Sequence, residues 1–188
     1  FSLLGDNNVT VDNSGLLRGE GSIFDPTIFI ATDGDILIDN RAGGVIRSDG
    51  GSPFARIVTA FAGDTITINN DGDMTGNVFL AAFGDIEFNN TSNDSWNVAG
   101  FNWFFSGTQT VINNTGTINT GPFFTSMVFV SPGIDQINNE GLFTVDGFTG
   151  LFGLEEFNNI GGTISMVDGA TDGNDARFIT LIDSQGTR

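Results

Sequence analysis

The groups in this chain that could do acid–base work are carboxylates. Asp and Glu total 23, the six cations are all Arg, and Lys, His, Cys and Tyr are absent, so 188 residues carry a formal charge of −17. Without His there is no Ser-His-Asp triad and no imidazole metal ligand. Without Cys there are no disulfides, thiolate nucleophiles or zinc–cysteine sites. Without Lys there is no Schiff base and no P-loop lysine. A surface this acidic repels phosphate backbones, so nucleic acid is not an expected partner.

Several acids are close in sequence. Asp33 and Asp35 flank Gly34, Asp71 and Asp73 flank Gly72, Glu155 adjoins Glu156, and Asp168, Asp172 and Asp175 cluster near the end. Paired acids several ångströms apart cleave glycosidic bonds. A polysaccharide-active enzyme, with acids supplied by neighbouring structural units, is therefore one function to weigh. Against it, Asp-Gly signals a turn wherever it occurs. Nor do Arg18, Arg41, Arg47, Arg56 or Arg177 fall in a repeated acid context, as a lyase would want. The preferred reading makes these acids turn-forming and solubilising, and the chain not an enzyme. No cofactor is expected. Calcium is the one ion to consider, since only hard oxygen ligands are available. Asn70-Asp71-Gly72-Asp73 and Asp172-Gly173-Asn174-Asp175 are loop-like candidates, but neither fits the EF-hand pattern or the nonapeptide of calcium β-rolls.

What positions these groups is a repeat. An apolar residue followed by Asn-Asn or Asp-Asn recurs, as Val11-Asp12-Asn13, Ile38-Asp39-Asn40, Ile68-Asn69-Asn70, Phe88-Asn89-Asn90, Ile112-Asn113-Asn114, Ile137-Asn138-Asn139 and Phe157-Asn158-Asn159. Ile182-Asp183-Ser184 is a weaker eighth copy, and the copies are spaced 20 to 30 residues apart. Gly15, Gly72, Gly116, Gly141, Gly161 and Gly186 follow two residues behind the pair, with Gly43 one place late. Gly34-Asp35, Gly63-Asp64 and Gly84-Asp85 precede it, and apolar runs such as Ile28-Phe29-Ile30 and Val78-Phe79-Leu80 lie further upstream. Within the middle segment Ile36/Ile38, Ile66/Ile68 and Ile86/Phe88 alternate with Leu37, Thr67 and Glu87, the period-two mark of a half-buried strand. No sustained 3.6-residue period occurs, so almost no helix is expected.

Three short strands per unit cannot close a core alone, but stacked units can. The expected fold is all-β: a right-handed parallel β-helix (β-solenoid) of about seven to eight coils, three short strands per coil, as a single domain over residues 1–188. Each strand then pairs with its equivalents above and below, about 4.8 Å away, which makes a rod of about 35 Å. Asn13, Asn40, Asn70, Asn90, Asn114, Asn139 and Asn159 should form a corner ladder, their amides bonding donor to acceptor along the axis. One Asn of each pair is expected in the left-handed conformation, and Asp12, Asp39 and Asp183 can fill the neighbouring slot. Asp49-Gly50-Gly51-Ser52-Pro53 is the best loop candidate.

With these polar corners followed by Gly, as in Val111-Ile112-Asn113-Asn114-Thr115-Gly116, the chain resembles the passenger regions of bacterial autotransporters and related right-handed parallel β-helix surface proteins. The resemblance implies secretion, display on a bacterial cell surface, and adhesion or self-association. The expected partners are other copies of the chain or a surface or matrix component. Absence of Cys agrees with passage across a membrane in the unfolded state. No apolar run is long enough for a transmembrane helix. Phe1 in place of an initiator Met is what a segment of a longer secreted chain would show.

Aromatics are the last excess, with 19 Phe and two Trp. Phe101, Trp103, Phe104 and Phe105 form one cluster, followed by Phe123, Phe124, Phe129, Phe143, Phe148 and Phe152. On an alternating strand Phe104 and Phe105 cannot both point inward. Some Phe therefore faces outward or covers a loop, and an apolar lateral face for self-assembly or adhesion is the sharper reading. Trp96 and Trp103 could also stack on sugar rings.

Overall fold

The computed structural model describes residues 1–20, 25–49, 55–91, 95–166 and 178–182. Residues 50–53 of the expected loop lie outside these, as do Asp168, Asp172, Asp175, Arg177 and the Asp183-Ser184 corner of the eighth copy. Among the described residues there is no helix. The protein is all-β, with parallel sheets curled into a half-barrel.

Alternation of apolar and polar residues dictates the strands. Ile28–Thr32, Ile36–Asn40, Ile66–Asn70 and Thr110–Asn114 each bury every second side chain. The seven-stranded sheet consists of Val9–Asn13, Ile36–Asn40, Ile66–Asn70, Ile86–Asn90, Thr110–Asn114, Gln136–Asn139 and Glu156–Asn159, in sequence order. Each is parallel to the next and in matching register. Val11, Ile38, Ile68, Phe88, Ile112, Ile137 and Phe157 stand in one row, and the Asn pairs in the two rows that follow.

The thirteen-stranded sheet joins two further files. One runs through Ser2–Gly5, Ile28–Thr32, Arg56–Ala62 and Asn77–Ala82 to the later parts of Ser95–Ser106 and Thr117–Val130, and ends on Phe148–Phe152 and Phe178–Ile182. The other runs through Leu16–Gly19, Val45–Ser48 and Asp73–Thr75 to the earlier parts of the same two long strands, then Leu142–Val145 and Thr163–Met166. The files merge because the long strands continue through the bend, with a register shift at Val98/Gly100. The inward rows of both sheets form one core, in which Ile28, Ile30, Ile38, Ile68, Phe88 and Phe104 are fully buried.

One local expectation is corrected. Among the described residues positive φ belongs to glycine alone, at Gly43, Gly76, Gly100, Gly147, Gly153 and Gly161. No Asn of the repeat is left-handed. Both members of each pair are strand residues and the bend comes after them. An extended backbone keeps both amides over their counterparts in the next strand, whereas a left-handed residue would swing one out of its row.

The glycine behind the pair is required by close approach. A Cβ on Gly72 would lie 2.2 Å from the carbonyl oxygen of Gly44, and one on Gly141 would lie 2.1 Å from that of Gly116. In the second unit two more residues intervene: Gly43, with φ +79°, turns the chain, and Gly44 takes the tight slot. A Cβ on Gly15, by contrast, would meet nothing within 4 Å. Gly141→Ala should therefore lower unfolding free energy by about 1–3 kcal/mol through overpacking against backbone. Gly15→Ala should stay within about 0.5 kcal/mol of the parent. Urea titration of both variants checks this, and equal effects would refute the close-approach explanation.

Candidate functional site

The seven predicted asparagines form one continuous file. Nδ2 of Asn13 donates to Oδ1 of Asn40 at 2.8 Å, Asn40 to Asn70 at 2.8 Å, and Asn70 to Asn90 at 2.8 Å. Asn90 donates to Asn114 at 2.7 Å, Asn114 to Asn139 at 2.7 Å, and Asn139 to Asn159 at 2.6 Å. Six of the seven are buried and Asn159 is exposed. The second amide hydrogen goes to carbonyls past the bend. Asn40 reaches those of Gly44 and Asp73, Asn90 that of Thr117, and Asn114 that of Leu142. Because Asp73, Thr117 and Leu142 belong to the following unit, every amide nitrogen must face that way. This fixes the direction of donation along the file.

The first residue of each pair builds a second file that runs the other way. Nδ2 of Asn69 donates to Asp39 at 2.7 Å, Asn89 to Asn69 at 3.0 Å, Asn113 to Asn89 at 2.9 Å, Asn138 to Asn113 at 2.9 Å and Asn158 to Asn138 at 3.1 Å. Its direction follows from Asp39. A carboxylate only accepts, so Asn69 must donate to it, and each later amide is oriented by the one before. Asp12 stands in register beside Asp39, and Arg41 pairs with Asp12. The repeat predicts this outer row only as a slot that Asp can fill, not as a ladder of opposite polarity.

The acids singled out from sequence are placed as partners of polar neighbours. Asp35 accepts from Nδ2 of Asn8 at 3.0 Å and from the Thr65 N–H at 3.2 Å. Asp73 accepts from the Ser95 N–H, Glu155 from the Asp135 N–H at 2.7 Å, and Glu156 from Asn158. Asp33 and Asp71 are exposed, and Asp71 lines a shallow groove of about 470 Å³ with Ser14, Asp39, Arg41 and Asn69. Among the described residues no three His, Cys, Asp or Glu side chains gather as a metal site would require.

Asp135 is the acid that sequence reading misses. It follows Gly133-Ile134 and resembles another turn, yet it occupies the inward column of Ile36, Ile66, Ile86 and Thr110 and is 1% exposed. Burial pushes its carboxyl above the usual range. The Thr110 N–H at 2.5 Å and the Ser131 hydroxyl pull it down, and the neighbouring Glu155 charge pushes it up.

The aromatics divide by face. Phe104 is buried and stacks on Phe129 at 5.0 Å, and Trp96 stacks on Phe88 at 4.3 Å with its Nε1 donating to the Gly76 carbonyl. Phe105 points out, as do Phe29, Phe61, Phe79 and Trp103. Ring centroids run from Phe29 to Phe61 at 6.0 Å, to Phe79 at 5.6 Å and to Phe105 at 5.7 Å, with Trp103 stacked on Phe105. Phe101, Phe124 and Phe148 continue the outer surface at 5.2 and 5.3 Å. The Arg56 guanidinium lies over the Phe79 ring. Comparisons with protein-family models, curated proteins and solved structures find no match.

Two substitutions test the polar rows. Asn90→Ala leaves the Asn70 amide, the Asn114 oxygen and the Thr117 carbonyl short of a partner, and should cost about 2–4 kcal/mol at one to a few unsatisfied buried groups. Asn90→Asp sets a carboxylate oxygen against the Asn114 acceptor. Its deficit should shrink on acidification, when a protonated oxygen can donate; a pH-independent deficit would contradict the ladder. For Asp135, the folded state holds its proton to higher pH than the unfolded chain does, so its contribution to stability falls as pH rises from the unfolded pKa through the folded one. Asp135→Asn keeps an acceptor for Thr110 and removes the charge. The variant should melt above the parent at neutral pH, with the gap closing below the ordinary aspartate range.

Proposed function

We propose that the chain is a right-handed parallel β-helix of seven to eight coils with three strands each, acting as an extracellular structural or adhesive segment displayed on a bacterial surface. Its mechanism is passive. A stiff acidic rod presents its bends and faces to other copies or to a surface or matrix component. The observation that carries this reading is the uninterrupted Asn file that links strands one repeat apart from Val9–Asn13 to Glu156–Asn159, with a second file beside it from Asp39 to Asn158. Side chains at these positions are fully used in holding unit to unit, so they support a scaffold and not a reaction centre. The resemblance to autotransporter passengers and the absence of Cys support export. Among the described residues no helix is long and apolar enough to cross a membrane.

The polysaccharide-active alternative has less behind it. Acids in register on neighbouring units along the seven-stranded sheet are already engaged: Asp12 pairs with Arg41, Asp39 accepts from Asn69, and Asp135 and Glu155, which precede adjacent strands, both accept backbone N–H groups, with Asp135 buried. The full gene product should label with antibody on unpermeabilised cells of a Gram-negative host, and the purified chain should release no reducing ends from a panel of acidic and neutral polysaccharides. Retention inside the cell would end the display reading; sugar release would revive the enzyme.

A further inference from the structure

Like charges one strand spacing apart are covered from within the chain at other places. Asp49 pairs with both Arg18 and Arg47, which lie in register, and Arg41 and Asn69 serve Asp12 and Asp39. Asp6 and Asp33 are a stacked pair without such cover. They follow Gly5 and Thr32, which are partners in register, so they stand about 4.8 Å apart at one bend. Both are exposed, and among the described residues neither enters an ion pair or a side-chain hydrogen bond.

Beside them lies a groove of about 370 Å³, the size of a small-ligand cleft. The register opens it. Thr32, Ala62 and Ala82 are partners, so Asp33, Gly63 and Phe83 follow one another at successive levels. Gly63 leaves the middle level without a side chain, since a Cβ there would lie 2.0 Å from the Asp33 carbonyl oxygen. Asp33 and Phe83 therefore flank a gap two strand spacings wide, about 10 Å. Phe83 is 83% exposed and Phe61, which also lines the groove, is 40% exposed. From Phe61 the apolar surface continues to Phe29 and Phe79, at 6.0 and 5.6 Å between ring centroids.

We infer that this groove binds an arginine side chain of a partner polypeptide, presented between apolar residues. The inference deepens the reading above, on whose contact with a surface or matrix component it rests, by naming the chemistry of that component. Charge selects a cation. Two stacked carboxylates on a chain of −17 attract one, and it relieves their mutual repulsion. The rings select a planar cation: a guanidinium turns its edge donors to carboxylates and lays its face on an aromatic ring. Phe61 and Phe83, with Leu4 at the acidic end, give the apolar neighbours of that arginine a surface to cover. A second copy offers no such group among the described residues, because Arg18, Arg41 and Arg47 are ion-paired and Arg56 lies over Phe79. Nor do the two acids suit glycoside cleavage. They occupy one end of the groove, whereas a glycosidase sets its acids on either side of the scissile bond.

Isothermal titration of the full chain with the capped peptide Gly-Phe-Arg-Phe-Gly should show one-to-one binding at low ionic strength. Citrulline in place of the peptide's arginine keeps the shape and removes the charge. It should weaken binding about ten-fold or more, as should Asp33→Asn in the chain. Phe83→Ala should weaken it about two- to five-fold. Glu140→Gln removes an exposed charge outside the groove and should leave the affinity unchanged. The citrulline comparison needs no variant of the chain, so it decides even where a variant fails to fold. Equal binding of the citrulline peptide overturns the inference. So does a Glu140→Gln loss as large as that of Asp33→Asn, since the attraction would then belong to the overall charge. Calcium that displaces the peptide and is itself lost with Asp33→Asn would give the site to a metal ion. A parent dimer dispersed by Phe83→Ala in sedimentation equilibrium would give it to a second copy, and either result overturns the inference. All of these measurements use the purified chain, so surface labelling, which tests the display reading, fails or succeeds separately.

Discussion

Parallel pairing in matching register, one repeat apart, is the constraint on which the rest of the molecule depends. It sets each residue directly over its equivalent in the next unit. A side chain at a repeated position therefore has to be a good neighbour for its own kind. Ile and Phe meet this condition inside, since apolar columns bury one another without directional demands. Among polar side chains Asn meets it best, because one amide carries donor and acceptor together and satisfies an identical amide above and below. The inner Asn row is thus the way a buried polar column survives where an unpaired amide would cost about 1–3 kcal/mol.

The same rule disfavours stacked like charges unless a partner covers them, as Asp49 does for Arg18 over Arg47, and it bears on where the acids are. A column of carboxylates repels itself. Among the described residues the outer row holds Asp at its first two rungs, where Arg41 covers Asp12 and Asn69 donates to Asp39. Among the described residues Glu87 and Glu156 face solvent from strands, and most other acids lie at bends, where they find Asn8, Thr65 or Ser95. Asp135 is the exception. It breaks an Ile column between Thr110 and Glu155, and burial there raises its pKa.

Much of this was legible in the sequence, because a constraint that repeats leaves a period. The Asn pairs, the inward Ile36, Ile38, Ile66 and Ile68, the outward Leu37 and Thr67, and the split between Phe104 and Phe105 follow from spacing and alternation. What escaped was single and local. Asn tolerates the left-handed region, so composition points to a bend at the pair, yet hydrogen bonding to the neighbouring strand holds both residues extended. Gly43 and Gly44 cannot be told apart by type, although one turns the chain and the other fits beneath a carbonyl. Asp135 reads as a turn because Gly-x-Asp is a turn signal, and only its register against Thr110 shows it facing the core.

The two Asn rows illustrate how much a backbone can specify through side chains that look identical. Each amide has two orientations, and nothing in the amino-acid type chooses between them. The inner row is oriented by carbonyls of the following unit; the outer row is oriented by acceptor-only carboxylates, Asp39 near its start and Glu87 and Glu156 further along. Hydrogen-bonded amides polarise their neighbours, so each row would build a dipole that grows with every unit added. Opposed directions let the dipoles of neighbouring rows offset one another, so a stack can lengthen without accumulating a field along its axis. A single row of amides would favour one end of the stack over the other electrostatically, whereas a paired row leaves the ends to be distinguished by the residues that occupy them.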